Sequence, residues 1–144
     1  MTTGAERFRH YLKTIRDFGV QEHDGAIWHV VVPVPPRHPR ADFTVIARCG
    51  HEHVWSIWTT VFILPENDSV ETCHVLRAVL QERAAWLRRA AILLEDGRLV
   101  VSADDTMQEP EDVVLCIRDV AELALAVLDV GVRAADRTGL KLQR

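Results

Sequence analysis

The densest group of possible metal ligands in the chain is Cys49-Gly50-His51-Glu52-His53. Alternate residues of an extended segment point the same way, so Cys49, His51 and His53 could converge on one ion. A zinc site takes three or four such ligands, and a fourth here would come from elsewhere, such as Cys73 or His74. No second ligand pair stands at zinc-finger spacing, and the competing reading is a polar hairpin turn carrying two exposed histidines. A Cys–His hydrolase needs a thiol held against an imidazole base. Cys73 and His74 are adjacent, and on a helix they would point about 100° apart, which disfavours direct pairing. Cys73 and Cys116 read as small apolar packing groups. His10, His23, His29 and His38 are dispersed and in no motif. Asp104-Asp105 reads as a solvated loop after a hairpin, not as a catalytic dyad. Phosphate chemistry lacks its frame, because no Walker loop and no glycine-rich turn follows a strand. No catalytic residue, metal site or cofactor is assigned from these residues.

Two other groups bear on binding. Arg77, Arg83, Arg88, Arg89 and Arg98 form a local basic region that reads as a solvated rim, with an acidic partner or nucleic acid as the alternative. Tryptophan is enriched in protein interfaces, and the chain has Trp28, Trp55, Trp58 and Trp86. Trp55 and Trp58 are three residues apart in one predicted strand, so they face opposite sides of the sheet. Either both faces are covered within the domain, or one tryptophan belongs to a partner interface.

The elements that must carry these residues fit one domain spanning residues 1–144. A chain of this length buries roughly 70% of its unfolded surface and needs no staples. Hydrophobic residues at 48% and charged residues at 26% are ordinary globular values. A net charge of −4 offers no broad positive field, so direct nucleic-acid binding is not expected. Cys49, Cys73 and Cys116 are odd in number and in no C-x-x-C pair, which fits a reducing compartment. The first residues lack the apolar core of a signal peptide, and no run approaches the ~18 apolar residues of a membrane span. A cytoplasmic location without membrane contact is expected.

Along the chain, Phe8, Tyr11, Leu12, Ile15 and Phe18 recur at helical spacing and predict a helix over 5–18, stopped at Gly19. Asp24-Gly25 is a turn before a strand at 26–33. Pro33, Pro35, Pro36 and Pro39 then make an extended connector, or a ligand segment for a proline-reading domain. Strands at 42–48 and 53–64 flank a turn at Gly50. In the second, Val54, Ser56, Trp58, Thr60 and Phe62 are expected on one face, opposite Trp55, Ile57, Thr59, Val61 and Ile63. Asp68 and Glu71 form a capping box for a helix whose stripe is Cys73, Leu76, Leu80 and Leu87, with Val79 beside it, and whose end falls between Arg83 and Trp86. Residues 89–103 read as a hairpin turned at Asp96-Gly97, because Asp-Gly suits a type I′ turn. Glu109-Pro110 opens a last helix with a wide apolar face, interrupted at Gly131 and ending at Thr138-Gly139. The fold class is α+β, in the order α-β-β-β-α-β-β-α, with helices packed on a twisted antiparallel sheet.

This order, with prolines after the first strand, resembles the type III secretion chaperone-like fold. The stretch from about Thr60 to Val132 more specifically resembles the YbjN family of sensory-transduction regulators. It includes Leu64-Pro65, the helix from Ser69, and Leu93-Leu94-Glu95-Asp96-Gly97-Arg98-Leu99-Val100-Val101-Ser102-Ala103-Asp104 before a long helix. The resemblance implies homodimers that bind other polypeptides, with no cofactor and no known catalytic residue. It places the dimer contact around the helix at 69–85, where Val79 and Leu80 could meet their copies.

The expected function is therefore non-catalytic: a chaperone or adaptor that acts as a homodimer on a protein client. Leu76, Val79, Leu80, Trp55, Trp58 and Trp86 are the candidate dimer or client contacts. The alternatives are a small metal- or thiol-dependent enzyme built on the Cys49–His53 hairpin, and a nucleic-acid-associated accessory protein.

Overall fold

Two Asp-Gly turns fold back the hairpins at the two ends of one sheet. Asp24 and Gly25 (φ 54° and 68°) turn one of them, and Asp96 and Gly97 (φ 51° and 76°) turn the other. Such paired positive φ values match the right-handed twist of the strands they join. The computed structural model describes residues 3–33, 42–65, 69–81 and 90–143. The connector prolines beyond Pro33, the Asp68 cap, and Arg83, Trp86, Leu87, Arg88 and Arg89 lie outside the described residues.

The fold is α+β. The elements are α1 (Gly4–Leu12), β1 (Gly19–His23), β2 (Ile27–Pro33), β3 (Asp42–Cys49), β4 (Val54–Ile63), α2 (Val70–Leu80), β5 (Ala91–Glu95), β6 (Arg98–Thr106) and α3 (Pro110–Thr138). Six antiparallel strands lie in the order β1-β2-β3-β4-β6-β5. α3 packs on β4, β6 and β3, while α1 and α2 both pack against α3.

The first helix is shorter than its 5–18 pattern. The backbone N–H groups of Thr14 and Ile15 turn back to the carbonyls of Tyr11 and Leu12, and the Thr14 hydroxyl donates to the Tyr11 carbonyl at 2.7 Å. That local bond competes with helix continuation. Phe18 is buried all the same, with the Arg118 guanidinium 4.6 Å over its ring. Gly19 does not stop a helix but starts β1, which makes six strands where five were expected. Gly19-Val20-Gln21-Glu22-His23 shows no apolar alternation because it is a largely exposed edge strand.

A β-bulge corrects the facing of β4. Thr60 pairs with Val100 but Phe62 pairs with Leu99, so Val61 is the extra residue. Two residues facing one break the period of two. Phe62 therefore leaves the face of Trp58 and joins Val61 in the core, both at most 1% exposed. The bulge also explains Gly131. A Cβ there would stand 2.5 Å from the Phe62 ring, so α3 runs unbroken through a glycine selected for close packing. Gly139, at φ 76°, does end the helix.

α2 is rotated from its expected stripe. Thr72, Val75 and Val79 are its buried residues, whereas Cys73 and Leu80 are exposed and Leu76 is half-buried. Ser69 is the cap, accepting from the Thr72 N–H at 3.1 Å, and the helix ends at Leu80 with Gln81 as its C-cap. Short β-branched side chains form the buried face of α2, which packs against α3, and Leu76 and Leu80 are left beside it.

Candidate functional site

The Cys49–His53 segment does not meet the premise of a convergent site. His51–His53 form a 3₁₀ turn in which Glu52 and His53 take positive φ (55° and 61°). Alternation of facing holds only along extended backbone, so Cys49, His51 and His53 diverge. Both histidines are exposed, and the His53 carbonyl accepts from the Met107 N–H at 2.9 Å. Burial pushes the half-buried Cys49 thiol up from its ordinary value, away from the thiolate that a nucleophile needs. Among the described residues, no group of three His, Cys, Asp or Glu side chains is arranged to hold a metal ion.

Cys73 and His74 are both exposed on α2. Asp104 and Asp105 belong to β6 rather than a loop, and as neighbours on a strand they face opposite sides. Asp105 lines a hollow of about 430 Å³ with Asp112, Leu115, Cys116 and Asp119, among others. Arg77 and Arg98 are exposed, with Arg98 opposite Glu95 across the hairpin.

The tryptophans divide as their spacing predicts. Trp28 and Trp55 are each 1% exposed and pack edge-on against Phe8, with ring centroids 4.9 and 4.8 Å away. The buried Trp28 indole N–H donates to Glu22 at 2.9 Å, and the same carboxylate accepts from the Arg9 guanidinium at 2.6 Å. Those two donors hold the Glu22 carboxyl below the usual carboxylate range, the Arg9 bond being the larger cause. Trp55 is therefore a core residue, closed to a partner. Val79, with no exposure, is closed as well, so it cannot meet its copy as the sequence suggested. Leu76 is half-buried, Leu80 is 63% exposed, and Trp86 lies outside the described residues.

Trp58 sits on the other face of the sheet, where no helix packs among the described residues. Cross-strand register builds a row there from His29, Ile46, Trp58, Ser102 and Ala91. Ile27 and Val31 stand on the same face of β2, and both are half-buried, as are Ile46 and Trp58. At the β1 end the His23 and His29 rings lie 4.5 Å apart. Each residue is readable in the sequence as part of a strand, but the row exists only because four non-local pairings align it.

The sheet's far edge was not legible as a site. β5 carries Leu93 at 46% and Leu94 at 53% exposure, with its single charge at Glu95. The signal was the apolar run before Asp96-Gly97, but nothing local says that this run forms an edge. The chain matches no protein-family model and no curated protein, so its likeness to the YbjN and secretion chaperone-like group rests on the quoted residues alone.

Proposed function

We propose that this chain is a non-catalytic protein-binding module, a chaperone- or adaptor-like domain that works as a homodimer on a protein client. The observation that supports it is the sheet face on which no helix packs among the described residues, where half-buried Trp58 stands among Ile27, Val31 and Ile46. A sheet normally buries its apolar face against another layer. Here the helical side is filled by α1 and α3, and the opposite side keeps a broad row of half-covered apolar groups, flanked by Thr44, Arg48 and Thr60. An aromatic anchor ringed by polar groups suits the centre of a protein interface.

The test compares capture from lysate by the parent and by a Trp58→Ser, Ile46→Ser variant of unchanged circular dichroism. A client retained by the parent should be lost by the variant, and the purified client should shift the fluorescence of the parent's Trp58. Identical proteins bound by both would sink the reading.

A further inference from the structure

We infer that a second copy of this chain docks on the β5 edge, antiparallel about a two-fold axis at Leu93, joining two six-stranded sheets into one of twelve. This deepens the dimer part of the proposed function and rests on it. The Asp96-Gly97 turn is a two-residue connection, so Glu95 and Arg98 form the hydrogen-bonded pair beside it. Antiparallel pairs alternate, which turns the N–H and C=O groups of Leu94 and Ile92 away from β6 and out of the sheet. Water aside, another strand is what satisfies such a row. With the axis at Leu93, Ile92 of one copy faces Leu94 of the other, and all four outward groups on each strand find partners.

The side chains fit the same register. Leu93 lies on the Trp58 face, opposite Val100, and would meet its own copy at the axis. Ile92 and Leu94 lie on the helical side, continuing toward Ala90 and Leu115, which line one hollow; Leu115 is 59% exposed. Charge agrees too. Glu95 is the only ionisable residue of β5, and this register sets it against Ala91 of the other copy. The two Glu95 positions then fall four residues apart, ~13 Å at the strand rise, beyond the screening length at physiological salt. A stable dimer takes about 800 Å² from each partner, more than one short strand pair supplies. The exposed Leu93, Leu94 and Leu115 extend the contact on both sides of the strand. Pairing β5 with β1 of another copy would propagate into a fibre. β1 discourages that with Gln21, Glu22 and His23, whereas β5 paired with itself closes. The product presents two Trp58 faces side by side as one client surface.

Light scattering on the full chain tests this. The parent should run at about twice the 16.3 kDa chain mass. Leu94→Pro removes one outward N–H but no bond to β6, a placement that edge strands tolerate, and Leu93→Lys sets two ammonium groups at the axis. Each should weaken association by about 100-fold or more, whereas Leu80→Lys, at the α2 contact that the resemblance suggested, should leave it unchanged. Amides of Ile92 and Leu94 should be protected from hydrogen exchange in the dimer and lose that protection on dilution. A parent that stays monomeric at high micromolar concentration overturns both this contact and the dimer reading. A dimer that survives both β5 substitutions, or leaves those amides unprotected, overturns this contact alone.

Discussion

The β1–β2 and β5–β6 hairpins are both turned by Asp-Gly at positive φ, yet they finish the two edges of the sheet in opposite ways. At the first edge, Glu22 is tied to Arg9 of α1 and to the indole of Trp28, so the edge strand is polar and anchored to a helix. At the second, β5 is Ala91-Ile92-Leu93-Leu94-Glu95, without proline and with one charge. Each edge strand carries one carboxylate, but only that of the first is engaged by a helix, beside polar Gln21 and His23, while the second exposes Leu93 and Leu94. The same Asp-Gly pair thus serves both reversals, in a three-residue loop at the first and a two-residue loop at the second, while the side chains on the outer strand decide whether the edge is closed or open to another strand.

The largest effect that would sharpen this contrast is at Trp28. Trp28→Ala empties a core position and leaves Glu22 without one donor, which should cost about 3–5 kcal/mol in urea unfolding. The Phe8 cluster makes that edge part of the core, and a loss near zero would break the comparison. Next come the turns. Gly25→Ala and Gly97→Ala each force an alanine to positive φ and should each cost ~1–2 kcal/mol. Similar losses would show that the turns are equivalent and that the edges differ through their strands.

Glu22→Gln should act through pH. Its carboxyl is lowered in the fold, so its contribution is present at neutral pH and disappears as pH falls through the unfolded and then the lowered native value. The stability gap between parent and variant should therefore be constant near pH 7 and close in acid, and it should shrink with added salt because the pair is partly exposed. A gap that widens in acid would contradict the assignment. Smallest is Leu94→Thr. Its side chain is more than half exposed, so unfolding of the dilute single chain should shift by no more than ~0.5 kcal/mol. A loss approaching that of Trp28→Ala would mean that β5 is anchored after all.

Much of this was legible from sequence. The hairpin at Asp96-Gly97, the opposite facing of Trp55 and Trp58, and the buried Val113, Ile117, Val120, Ala124 and Val127 stripe of α3 all follow from local rules. The errors share one cause. The continuation of α1 to residue 18 and the stripe of α2 rest on periodicity, and the interruption at Gly131 on the helix preference of glycine; each is overridden by a neighbour distant in sequence or by a side chain bonding its own backbone. The alternative of a convergent Cys49, His51 and His53 loses its premise of extended chain because Glu52 and His53 take positive φ.

By itself the sequence determined where the backbone reverses and which residues alternate, because those depend on single-residue φ preferences and on repeats of 2 and 3.6. Only the tertiary structure decided that β6 inserts between β4 and β5, leaving β5 as an edge. It alone placed the bulge at Val61 that brings Phe62 against Gly131, and the pairings that carry Trp58 into one row with His29 and Ile46. The physical reason is that strand order and face-to-face packing are set by contacts between residues tens of positions apart. Close packing there can outweigh a local preference of about 1 kcal/mol, such as that of a glycine against a helix.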